Sequence, residues 1–280
     1  MAIALTACLI FKLKHKWIII IPPIIAGIVF SCCVTFDTQY YKNIVQIDYI
    51  GGSESEMLLL RDGNQYSIVD ISSGGAAHSY NAYILSLENC ATEFNSYVIT
   101  HYHNYHVNSA RKILKKAVVK KLYLPYPQNL DEYYIMSSLI NIANEEKVDI
   151  EIYDNLAETQ ISNNVTFTIS PRYYLKRSTH PTFYFALKAY DQRYTYFSES
   201  LFETKEFENT LSNIICQSDF ILLGTHGPKT KSDIIFPSVS QNQSIIITNN
   251  EIESFFKPSN TNKKIFYNII YFRTVITKNR

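Results

Sequence analysis

"NSYVITHYHNYHVNSARKILKK", Asn95–Lys116, packs three of the chain's seven histidines into the six residues His101–His106, between two segments of different periodicity. "NSYVIT" is a short run of β-branched and aromatic residues, the pattern of a buried strand. "VNSARKILKKA" (107–117) sets Val107, Ile113 and Leu114 at helical spacing, so one face is apolar and the other basic. The histidines therefore fall on a strand-to-helix turn, with His101 and His103 on one side and His106 opening the helix. Neutral imidazoles are good ligands for zinc and similar ions, and two of them at this spacing can chelate one metal. A polar, histidine-rich turn that binds nothing is the competing reading of the same residues.

On either side the two periodicities alternate. Upstream, "IVQIDYI" (44–50), "EMLLLRD" (56–62) and "YSIVDIS" (66–72) read as strands joined by turn-forming "GGSES" and "DGNQ", and "AAHSYNAYILSLENC" (76–90) as a helix. Downstream, "VKKLYLP", "VDIEIYD", "NVTFTIS", "TFYFALKAY", "RYTYFSES", "DFILLG", "QSIIITN" and "FRTVITK" read as strands, with helices over "LDEYYIMSSLINIANEEK" (130–147) and "LFETKEFENTLSNIIC" (201–216). Hairpins followed by strand–helix alternation predict layered sheets covered by helices, in one domain spanning 44–280.

Composition narrows the options. A chain of 280 residues that is 46% hydrophobic and 18% charged is globular. Its 26 basic and 25 acidic residues create no overall basic field of the kind nucleic-acid binders show. Five cysteines without CxxC spacing indicate neither a disulfide framework nor a thiolate zinc site, and Cys90 and Cys216 are expected to be buried apolar residues. At the N-terminus, Lys12, Lys14 and Lys16 (in segment 1–16) precede "WIIIIPPIIAGIVFSCCVTF" (17–36), twenty uncharged residues whose helix would span about 30 Å, the thickness of a bilayer core. Trp17 stands where an interfacial aromatic belongs, and the lysines favour that flank remaining cytoplasmic. The expectation is a single membrane anchor, a short linker (37–43) and an extracytoplasmic domain; a cleaved signal segment ending near Cys32 is the alternative.

The chain also resembles a known family. "THYHNYH" is similar to the THxHxDH signature of the metallo-β-lactamase superfamily. "VQIDYIGGSESEMLLLRDGNQYSIVDISSGG" resembles the opening strands of its ComEC-type branch, the extracytoplasmic domain of DNA-internalisation competence proteins. Asp70, before Ser73, Gly74 and Gly75, stands at that branch's second aspartate, and "DFILLGTHGPK" resembles its late HHGSK-like turn, with His226 on the second histidine and Thr225 in place of the first. The resemblance covers 44–280 and implies an αββα sandwich of the metallo-β-lactamase type. It also implies a metal centre drawing on His101, His103, His106, His226 and His180, which lies near a further ligand position of the superfamily. Asp70 and Tyr105 are implied as outer-shell residues; for Asp70 a turn-forming role is equally open.

Two expected carboxylates are absent: Tyr105 and Ser200 stand where the family carries aspartates, and strand alternation points the neighbouring Glu199 to the opposite face. Such carboxylates hold the second ion in two-metal hydrolysis, so the expectation is one zinc or manganese ion rather than two. Two functions follow. One is a membrane-anchored metal-dependent hydrolase acting on nucleic acid or another phosphodiester, with "RKILKKAVVKK" (111–121) offering basic residues beside the site. The other is an inactive pseudoenzyme that binds or assembles with partners at the cell surface, a membrane protein among them. Without the run of membrane helices of whole ComEC-type transporters, the chain is not expected to form a DNA channel by itself.

Overall fold

A computed structural model describes residues 21–52, 55–71, 93–174, 181–198, 213–223, 244–247, 264–266 and 271–278. The chain divides into two compact units, Met1–Asn43 and Ile44–Arg280. In the first, helix α1 is described over Ile21–Tyr41; its 21 residues have no buried side chain and span about 31 Å at 1.5 Å per residue. It is long and apolar enough to cross a membrane. The helix continues through Asp37–Tyr41, residues expected to link it to the domain, because no glycine or proline interrupts them and Phe36 and Tyr40 stack one turn apart at 6.0 Å.

The second unit is built on two seven-stranded sheets. The first contains β1 (Ile44–Gly52), β2 (Ser55–Asp62), β3 (Gln65–Ile71), β4 (Glu93–Val98), β5 (Val118–Pro125), β6 (Asp149–Tyr153) and β16 (Tyr271–Thr277), in the order β16-β1-β2-β3-β4-β5-β6. Pairing is antiparallel from β16 to β3 and parallel from β3 to β6. Helices α2 (Asn104–Lys116) and α3 (Leu130–Glu145) make the crossovers β4–α2–β5 and β5–α3–β6 that parallel neighbours require. The second sheet contains β7 (Leu156–Ser162), β8 (Val165–Ile169), β11 (Tyr184–Ala189), β12 (Gln192–Phe197), β13 (Phe220–Leu223), β14 (Ser244–Ile247) and β15 (Lys264–Phe266), in the order β15-β14-β13-β12-β11-β8-β7. A short pair, β9 (Tyr173–Tyr174) and β10 (Pro181–Thr182), stands apart.

Strand alternation sorts side chains of the first sheet between two cores. Val45, Ile47, Tyr49, Leu58, Leu60, Val69 and Val98 face the second sheet, meeting Phe167, Phe185, Leu187, Tyr194 and Tyr196. Met57, Leu59, Ile68, Phe94, Tyr97 and Ile99 face the helices, meeting Val107, Ala110 and Leu114 of α2 and Met136, Leu139 and Ala143 of α3. The result is a layered α/β sandwich, the fold class expected from the sequence. The helix expected over 76–90 lies outside the described residues, and of the one expected over 201–216 only residues 213–216 are described, as helix, with Ile214 and Ile215 buried. Cys216, expected to be buried, is exposed, because its helical turn directs Ile214 and Ile215 inward instead; Cys90 lies outside the described residues.

β7 was not legible in "LAETQIS". It is an edge strand with register shifts on both sides of Thr159–Gln160 and a positive φ of 47° at Glu158, so its apolar residues do not alternate.

Candidate metal centre

β3 and β4 lie parallel in the register Val69↔Val98, which brings Asp70 at the end of β3 beside the chain leaving β4. Asp70 is buried and has φ 42°, a left-handed conformation that aspartate tolerates better than most residues. Thr100 holds it there: the backbone N–H donates to Asp70 Oδ1 at 2.8 Å, and the hydroxyl donates to Oδ2. With its only hydrogen committed to the carboxylate, the Thr100 hydroxyl accepts from His101 Nδ1 at 2.9 Å. His101 is thereby the Nδ1–H tautomer, and the lone pair that can ligate a metal resides on Nε2.

α2 begins at Asn104, earlier than the apolar pattern alone indicates, with His103 as its N-cap. His106 consequently sits in the first turn and points inward, 1% exposed, with Nδ1 3.9 Å from Asp70 Oδ1. The His101 and His106 rings meet edge-on at 4.4 Å. Asp70, His101 and His106, all buried, each offer a donor atom within 4.8 Å of the others. Modest side-chain rotation closes such a set to the roughly 3.4 Å that separates neighbouring ligands on a tetrahedral zinc. Two imidazoles and a carboxylate fit a divalent transition metal. The half-buried His103 adds a third ring, 5.4 Å from that of His101 and 6.5 Å from that of His106.

Tyr105 lies on the exposed side, 38% accessible, with its ring edge-on to His103 at 6.4 Å. His180, Ser200 and His226 lie outside the described residues. Asp70, expected in the outer shell or as a turn-forming residue, brings a carboxylate oxygen within 4.8 Å of donor atoms of His101 and His106. Sequence reasoning missed Thr100, whose only signal was its position immediately before the histidines.

Two tyrosines tie the turn to the sheet: Tyr153 donates to Ile99 O at 2.6 Å and Tyr102 to Pro125 O at 2.5 Å. Burial pushes both phenols well above the ordinary tyrosine range. In the basic stretch, Lys120 pairs with Glu93 at 2.5 Å and Lys121 with Glu151 at 2.6 Å, which leaves less positive charge for a phosphate backbone than the sequence alone suggests.

Fold and site together define the class: a layered α/β protein with a histidine–carboxylate cluster on a strand-to-helix turn. No family model and no curated protein matches the sequence. Similar solved structures include a diphosphatase of the PhnP family (10% identity, 82% of this chain and 97% of that one, TM-score 0.46). They also include Igni18, a metallo hydrolase from the hyperthermophilic archaeon Ignicoccus hospitalis (10% identity, 84% and 100%, TM-score 0.46). A third is the MIM-2 metallo-β-lactamase (12% identity, 66% and 75%, TM-score 0.41).

Proposed function

We propose that this chain is a membrane-anchored, ComEC-like metal-dependent hydrolase that cleaves phosphodiesters with one zinc or manganese ion. The observation that carries the reading is the buried convergence of Asp70, His101 and His106 at the histidine turn. A bound divalent ion would supply Lewis acidity and a nucleophile at neutral pH. His101 would offer Nε2, oriented by Thr100, and His106 and Asp70 would complete the set, with His103, His180 and His226 as the further ligands the sequence resemblance implies. The neutral imidazoles and single carboxylate leave the site cationic once metal is bound, which suits an anionic substrate. Anchoring through α1, with the lysine-bearing flank cytoplasmic, would put the globular unit on the extracytoplasmic side, where nucleic acid or a membrane protein would be its partner.

A second reading, a binding module without catalysis, is favoured by Tyr105: an exposed phenol stands where the family's second-metal carboxylate is expected. Elemental mass spectrometry on the full chain, purified in detergent beside a His101→Ala/His106→Ala variant, tests the proposal. About one ion per chain, lost in the variant, followed by turnover of a chromogenic phosphodiester, is the expected result. Metal without turnover would favour the binding module, and absence of metal from a folded protein would sink the hydrolase reading.

A further inference from the structure

Arg172, between β8 and β9, is a buried cation whose side chain is only 2% exposed. Its Nη2 donates to Tyr126 O at 2.8 Å and faces Glu132 Oε2 at 3.4 Å, and its guanidinium carbon lies 5.6 Å from the centre of the Tyr102 ring. Its own carbonyl accepts from Gln128 Nε2, while Glu132 Oε2 also accepts from Gln128 N at 2.8 Å. One side chain thus joins three parts of the fold: the β5–α3 loop, the first turn of α3, and Tyr102, which stands between His101 and His103.

A buried ion pair of this kind adds little net stability, and Nη1 finds no hydrogen-bond partner among the described residues, a further cost of burial. Its effect is therefore geometric. The histidine turn runs up to His103, the N-cap of α2. Asp70 restrains it from one side through Thr100; Tyr102, held by Pro125 O and by the Arg172 guanidinium, restrains it within the histidine run itself.

We propose that Arg172 is a positioning residue for the histidine turn, acting through Tyr102 to hold His101 and His103 in ligating geometry. Its consequence for metal rests on the function proposed above, but its effect on the turn does not. The test compares the full chain with an Arg172→Met/Glu132→Gln variant, which removes both charges together. Amide hydrogen exchange across Thr100–Val107 is followed without metal, and cobalt(II) binding by ligand-field absorption. The expected result is faster exchange confined to that peptide, with an unchanged urea midpoint and cobalt affinity about ten-fold weaker or more. Arg172→Lys should restore protection only in part, since a compact ammonium does not reproduce the contact of the planar guanidinium with the Tyr102 ring. Unchanged exchange in the turn overturns the proposal, as does faster exchange throughout the sheet with a lowered midpoint, which marks a purely structural role. If the paired variant does not fold, Tyr102→Leu, which removes the ring together with its bond to Pro125 O, carries the same readouts beside Tyr102→Phe, which removes that bond alone; a difference between the two is the part owed to the ring over which Arg172 lies. Failure of the wild-type chain to take up cobalt overturns the hydrolase reading, while the exchange pattern still decides the role of Arg172.

Discussion

At the scale of single residues, Thr100 couples a carboxylate to an imidazole through one hydroxyl. Thr100→Val keeps the side-chain shape and removes that hydroxyl, leaving Asp70 one donor short and His101 Nδ1 without its acceptor. The expected outcome is metal affinity weaker by about 10–100-fold, read by competition with a chromogenic chelator. A stability loss of about 1–3 kcal/mol should accompany it in urea unfolding. Wild-type affinity in that variant would show that the Thr100 hydroxyl does not set the ligating geometry. Tyr105→Asp introduces a carboxylate at an exposed position, and on the proposed reading metal content should rise toward two ions per chain by elemental analysis; no rise would mean that Tyr105 does not stand at a ligand position. The histidines were legible because their spacing is local. Thr100 and Asp70 are 30 residues apart, and no local pattern signals that they meet; the parallel pairing of β3 with β4 decides it.

At the scale of elements, the unit that presents the site is β4–α2–β5. Strand and helix alike were readable, since "NSYVIT" and "VNSARKILKKA" carry distinct periods. The start of α2 was less so, because its first turn is occupied by polar and aromatic residues that carry no apolar stripe. Leu114, 1% exposed, anchors the last turn of α2 against the first sheet. Leu114→Ala is expected to cost about 2–5 kcal/mol, measured by urea unfolding, and to loosen the turn that carries the histidines. A loss below about 1 kcal/mol would mean that the layer collapses around the gap rather than resting on this contact. Edge strand β7 marks the opposite limit: bulges and a left-handed residue at Glu158 erase the period that sequence reading depends on.

At the scale of the whole molecule, burial sets the response to alkali. Tyr97, Tyr102 and Tyr153 are all pushed above the ordinary phenol value of 10.0, by burial first in each case. Below about pH 10 the phenols are protonated in folded and unfolded chains alike, and the stability they contribute is fully present. Above it the unfolded chain releases these protons first, so the folded state binds more protons and stability falls as pH rises toward the folded values. The limiting slope is about 1.4 kcal/mol per pH unit for each tyrosine. Urea midpoints should fall between about pH 9 and pH 11, with phenolate absorbance followed in parallel; ionisation of all 22 tyrosines in a chain that stays folded would contradict the burial. For α1, Phe30→Lys places a charge near the middle of the helix at a cost of about 2.5–3.5 kcal/mol for membrane insertion, and should shift the chain out of the carbonate-resistant membrane fraction. An undisturbed fraction would argue against α1 as the anchor. The apolar helix, the strand–helix alternation and the histidine turn were determined by sequence alone, because each is a pattern among near neighbours in the chain. Which side chains meet the segment 99–106 was decided only by the tertiary structure: Asp70 arrives through strand pairing, Tyr153 reaches Ile99 from the parallel edge and Arg172 reaches Tyr102 from beyond β8. Such contacts depend on sheet register and layer packing, which join residues that share no local period.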